Sequence, residues 1–284
     1  MRLITLLVFF SPLLTLSQTR IHADLFTGFA NYYGDLQNKP ITLDQSSLAV
    51  GAGLKYDWGE HLSFKSGFMY GRIGADDKRN KPSLQPRNLN FQSKVFEWNV
   101  LAEYTLFNME TKQFSPYVFG GVALFHFNPY TYDSLGNKFF LKPLSTEGEG
   151  LAAYPDRKPY HLTQFAIPFG VGIKFRVTND VILAYEFGLR KTFTDYLDDV
   201  SKTYIDETTL LNAKGPKAVE LAYRGGELKN GDPNYPADGS IRGGSKYKDW
   251  YYFSGVRLTI ALHTNNQFLN HPGKSSLACP VKVN

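Results

Sequence analysis

Eight stretches of this chain alternate apolar and polar positions with a period of two, at 24–33, 47–57, 61–73, 91–106, 116–128, 162–176, 181–194 and 247–262. A period of two marks a strand with one apolar face. Phe96, Trp98, Val100, Ala102, Tyr104 and Leu106 alternate with Glu97, Asn99, Leu101, Glu103 and Thr105. Phe165, Ile167, Phe169, Val171, Ile173 and Phe175 repeat the pattern against Gln164, Ala166, Pro168, Gly170, Gly172 and Lys174. The joints have their own rhythm. Those at 34–46, 74–90, 129–161 and 195–246 are long and polar, and those at 58–60, 107–115 and 177–180 are short. An even number of antiparallel strands, with short turns at one end and long loops at the other, is how outer-membrane barrels are built. The predicted fold is all-β: a closed, eight-stranded, antiparallel up-and-down transmembrane barrel.

The alternation also assigns faces. In a bilayer the large apolar set faces lipid, whereas a soluble sandwich would turn the same set into a core. Glycine separates the two readings. Gly51, Gly53, Gly67, Gly71, Gly170, Gly172, Gly188 and Gly255 fall opposite the bulky residues, where a narrow lumen has little room. On the same inner face the pattern places Lys55, Lys65, Glu97, Glu103, Lys174, Glu186, Arg190 and Arg257, five cations and three anions. Buried charges must pair. An eight-stranded barrel, the size of the OmpA and OmpX type, is just wide enough for side chains to fill. The eight are therefore expected to form an ion-pair network that plugs the lumen, with a selective channel or proton path as the functional alternative.

Composition refines the compartment more than the fold. Met1 and Arg2 precede an apolar run from Leu3 to Leu16, followed by the small Ser17. This predicts a signal peptide over 1–17, since the run falls short of the roughly 20 residues of a spanning helix. The barrel then occupies 18–262 and a periplasmic tail 263–284, because an even strand count returns the chain to its starting side. Mean hydropathy is only -0.29, as expected where apolar residues sit at alternate positions. Aromatic residues make up 15% of the chain, which suits the interfaces of a bilayer. The net charge of +5 has no run of Lys and Arg behind it, so no nucleic-acid partner is expected. Cys279 is the only cysteine. It cannot close an intramolecular disulfide, and it is the expected partner contact of the tail, which otherwise reads as turn-rich and disordered.

Candidate chemistry is sparse. His22, His61, His126, His161, His263 and His271 lack metal-ligand spacing, and no Gly-x-Ser-x-Gly elbow or phosphate-cradling loop occurs. No catalytic residue, metal or cofactor is expected. Asp195, Asp198 and Asp199 have the oxygen ligands a hard cation takes but not the spacing of a calcium loop, and they read as a solvated strand end. The loop 195–246 exceeds the usual length of structureless loops, so it is either functional or disordered; Tyr196 and Leu197 are expected to fold over the barrel mouth.

Several segments carry a resemblance. They are Asn31-Tyr32-Tyr33-Gly34-Asp35-Leu36, Tyr70-Gly71-Arg72-Ile73-Gly74-Ala75-Asp76-Asp77, Ser115-Pro116-Tyr117-Val118-Phe119-Gly120-Gly121, Phe127-Asn128-Pro129, Ile167-Pro168-Phe169-Gly170-Val171-Gly172-Ile173-Lys174, the run Glu186 to Ser201, and Asp249-Trp250-Tyr251. Together they resemble the PorG-like outer-membrane barrels of the type IX secretion and gliding machinery. One departure stands out: Ile73-Gly74-Ala75-Asp76-Asp77 replaces the family's usual Ile-Ser-Gly-Asp-Asp. The resemblance implies a non-enzymatic barrel in the outer membrane beside periplasmic ring proteins of the PorK and PorN kind. The long loops leave a surface adhesin or receptor as the alternative.

Overall fold

The computed structural model describes residues 21–37, 39, 42, 44–246 and 248–262. The signal-peptide expectation, the tail with Cys279, and Tyr247 at the expected start of the last strand lie outside the described residues. Among the described residues no helix is long and apolar enough to cross a membrane.

The eight long strands are β1 (Ile21–Tyr33), β2 (Ser47–Trp58), β3 (Leu62–Asp76), β4 (Asn90–Thr105), β5 (Phe114–His126), β8 (Thr163–Arg176), β9 (Val181–Thr192) and β10 (Trp250–Leu262). Each pairs antiparallel with its neighbour, β3 with β4 included, and β1 pairs with β10 from Ile21↔Leu262 to Tyr33↔Trp250. That pairing closes the sheet into a barrel and leaves no edge along its wall. Two short strands, β6 (Tyr130–Tyr132) and β7 (Lys138–Phe140), form a hairpin standing on the rim beside β4. The strands start and stop close to the periodic stretches, with β3 running three residues further, to Asp76, and β9 stopping two earlier, at Thr192.

The wall faces as the alternation demands. Phe68, Trp98, Val122, Phe165, Val171 and Tyr185 are exposed on the outside, forming an apolar belt. Inside, the glycines make room: the Phe119 ring occupies the space a Cβ would take on Gly170 and Gly188, and Tyr117 does the same at Gly172.

The upper lumen is apolar, packed by Phe26, Ala30, Ile73, Val95, Phe125 and Phe253. Above it the long loops form a folded cap. The loop from 193 to 249 contains α1 (Glu207–Lys214) and α2 (Pro216–Ala222). Asp206 caps α1 by accepting from the Thr209 N–H at 2.7 Å, and Gly215, at φ 84, makes the turn into Pro216 at the start of α2. Ile205, Leu210, Ala218 and Ala222 give this loop a small core of its own. Length alone left that loop undecided between function and disorder; a folded, partly apolar unit is what it is.

Candidate functional site

All eight inner charges predicted from alternation are buried within the barrel. Glu103 is the hub, with Lys65 at 2.8 Å, Lys55 at 3.9 Å and Lys174 in direct contact. Glu186 holds Lys65 at 3.2 Å and Arg257 at 2.9 Å, and accepts from the Tyr117 hydroxyl at 2.9 Å. Arg190 donates to Glu97 at 3.1 Å, which also accepts from the Tyr251 hydroxyl at 2.8 Å. Two anions were missed. Asp24 pairs with Arg257, and Asp57 lies 2.7 Å from both Lys55 and His22. The expected three anions are therefore five, matching the five cations. Asp24 and Asp57 sit at the ends of their periodic stretches, where alternation has too few neighbours to assign a face. A space between Asp24, Lys65, Asn99 and Arg257 measures about 10 Å³, enough for one water. Side chains fill the lower lumen, as in other eight-stranded barrels.

The second charged region lies at the mouth, and four segments distant in sequence build it. Tyr32 and Asp35 come from the end of β1, Asp77 follows β3, the acids 195–199 follow β9, and Asp249 precedes β10. The Tyr32 hydroxyl lies 2.6 Å from Asp198 Oδ2 and 3.0 Å from Asp249 Oδ1, with all three side chains buried. A hydroxyl has one proton to give. Tyr32 bridges both carboxyl groups only when one of them is protonated and donates back to it. Gly34 is required here, since a Cβ would fall on Asp249 and on the Tyr32 hydroxyl.

Asp199 accepts from Thr146 and Tyr160, each at 2.6 Å, and Asp195 accepts from Ser201 at 2.7 Å. The expectation of a solvated strand end is thus corrected: Asp195, Asp198 and Asp199 are each no more than 2% exposed. The fold of the cap buries them, and no local pattern could have announced it. Among the described residues, Asp35, Glu149, Asp195, Asp198, Asp199 and Asp249 have no cation within 4.0 Å. Burial raises the carboxyl pKa of Asp198 and Asp249 well above the usual range, lifts Glu149 to about 8, and lifts Asp195 and Asp199 to about 6. No group of three or more metal-ligating side chains comes together to hold an ion among the described residues.

Two arginines fasten the cap around this cluster. Arg87 grips Asp77 through two nitrogens at 2.7 and 3.0 Å. Arg242 binds Glu147 at 3.0 Å, the Asp199 carbonyl at 2.7 Å and the Ala222 carbonyl at 3.2 Å. Both arginines lay in loops where sequence offered no periodicity to read.

An eight-stranded antiparallel barrel with an apolar outer belt, a plugged lumen and a roofed mouth has the architecture of the small outer-membrane barrels. The chain belongs to the family described as a domain of unknown function, DUF6089, whose model matches residues 1–212. No curated protein matches it. Among solved structures it is similar to Neisserial surface protein A at 9% identity, covering 85% of this chain and 97% of that one, with a TM-score of 0.43. It is also similar to Ail, the attachment invasion locus protein of Yersinia pestis, at 7% identity over 86% and 99% of the two chains, TM-score 0.41. OprG from Pseudomonas aeruginosa gives 9% identity over 86% and 98%, TM-score 0.36. These likenesses are weak, and the description of the barrel rests on its own strand pairing.

Proposed function

We propose that this protein is a non-enzymatic barrel of the outer membrane that serves as an accessory of a type IX secretion machine. The convergence at the mouth supports the reading best. Tyr32, Asp198 and Asp249, drawn from three of the segments that resemble PorG-like barrels, meet in one buried cluster. A plugged lumen suits an anchor better than a conduit. The partners are outer-membrane lipid around the belt and, below it, periplasmic ring proteins of the PorK and PorN kind, docked through the tail 263–284 and its Cys279. Affinity purification of the full chain and of a chain cut at His263 tests this. Ring proteins recovered with the full chain alone support the docking role, and recovery with neither sinks it.

A second reading, a surface adhesin or receptor, draws on the cap, whose exposed Leu135 and Ile241 present apolar side chains outward. Deleting 210–240 separates the two: lost adhesion with intact secretion favours the receptor.

A further inference from the structure

On the outer wall, where β8 begins and β9 ends, a cavity of about 480 Å³ opens beneath the cap. Its lining changes character along the barrel axis. On the belt side, Phe165 in β8 and Phe193 just past the end of β9 flank the last registered pair, Ala166↔Thr192, and both are exposed. On the cap side the lining is Asp195, Tyr196, His161 and Lys248. Tyr196 is held by stacking on Tyr160, with ring centroids 4.8 Å apart and planes 9° from parallel. An apolar floor beneath a polar rim, at the level where the belt ends, matches a molecule with an oily body and a charged head.

Asp195 says what kind of head. Its Oδ2 accepts from Ser201, while its Oδ1 is buried and accepts nothing. A buried carboxylate oxygen left unpaired is costly, and an ammonium N–H satisfies it with a charge-assisted bond. Lys248 is exposed and lies close enough to bear electrostatically on Asp195, so a phosphate has a cation beside the same cavity. The Oδ1 needs a proton donor, which a primary ammonium has and a quaternary one lacks.

We infer that this cavity holds the phosphoethanolamine head of a membrane phospholipid, its ammonium on Asp195, its phosphate toward Lys248 and its acyl chains over Phe165 and Phe193. The inference rests on the bilayer reading above. The same head group free in solution shares the chemistry but not the chains.

The test uses the full chain reconstituted in vesicles of equal phosphatidylethanolamine, phosphatidylcholine and phosphatidylglycerol, released into detergent for native mass spectrometry. Expected is one retained phosphatidylethanolamine per barrel, favoured about tenfold over either competitor. Asp195→Asn abolishes the preference over phosphatidylcholine, and Lys248→Gln weakens retention of phosphatidylethanolamine without unfolding the barrel. Equal retention of the three lipids by the wild type overturns the proposal, as does a preference unchanged in both variants. Displacement of the lipid by equimolar free phosphoethanolamine overturns the lipid as occupant. A wild type that fails to enter the vesicles at all removes the bilayer reading itself, a result separate from insertion without lipid preference.

Discussion

Glu103 in the lower lumen and Asp198 at the mouth are equally buried, each 1% exposed, yet their neighbours are opposites. Glu103 faces three lysines; Asp198 faces a tyrosine and, beyond it, another carboxyl group. The lumen neutralises its charge with counter-charge, five against five. At the mouth, Arg87 and Arg242 pair with Asp77 and Glu147, but six further carboxyl groups have no ion-pair partner among the described residues, and protons are what this chain itself has to neutralise them. One end of the barrel is therefore fixed by its sequence alone, and the other answers to pH.

The strongest way to break the comparison is to unbalance the lumen. Glu103→Ala takes a counter-charge from three lysines and leaves Lys174 without a carboxylate, while Lys55 keeps Asp57 and Lys65 keeps Glu186, and removing one member of a buried ion network costs about 3–5 kcal/mol. The expected result is a large drop in the denaturant midpoint of the refolded barrel, read by the heat-dependent shift of its gel band.

Unfastening the cap is next. Arg242→Ala removes the cation from Glu147, which keeps the Ser201 and Lys202 N–H groups, and takes a donor from the Asp199 and Ala222 carbonyls, a local loss of about 3 kcal/mol. Limited proteolysis is expected to cut within 195–246 while the strands stay protected.

Acidity sharpens the contrast without any mutation. The mouth carboxyl groups keep protons in the folded cap up to about pH 6 for Asp195 and Asp199 and about 8 for Glu149. In the unfolded chain they release them near pH 4. The folded state binds more protons, so the contribution of these groups to cap stability is full below about pH 4 and falls as pH rises through their folded values. The protection of the 195–246 amides, taken relative to their intrinsic base-catalysed exchange rates, is expected to fall by roughly tenfold between pH 5 and pH 9, and by less in the lower strands. Glu149→Gln, which removes one titrating group, is expected to stabilise the cap by about 1 kcal/mol at pH 9 and to leave it unaltered at pH 5. A lower lumen that loosens with the same pH profile would erase the distinction.

The smallest effect belongs to a pair in neither region. Arg79 and Asp44 meet at 3.5 Å on the surface, half or more exposed, and Arg79→Ala should change stability by less than about 0.5 kcal/mol.

The two regions also differ in how far sequence exposes them. Every strand residue from Phe96 to Thr105 faces as its period dictates, because a closed sheet makes orientation a strict function of position. The eight inner charges follow from the same rule, and Asp24 and Asp57 escaped it only because they lie at the ends of the periodic stretches. Nothing periodic governs the mouth. Tyr32, Asp198 and Asp249 are brought together by three chain segments, and Asp195, Asp198 and Asp199, three acids beside a strand, look like any hydrated turn until the cap covers them. The two helices of the cap were equally hidden: their small core draws on Leu144 and Leu151 from another loop, so neither helix has a self-contained apolar stripe to find.

The pairing of β1 with β10 has a consequence for how the molecule comes into being. Thirteen residue pairs join the first strand to the last, across nearly the whole described chain. No part of the chain short of Trp250 can close the wall, so every shorter intermediate exposes an open strand edge. Contacts this remote in sequence are slow to form. The cylinder therefore stays open until the strand nearest the C-terminal end of the described chain meets the first.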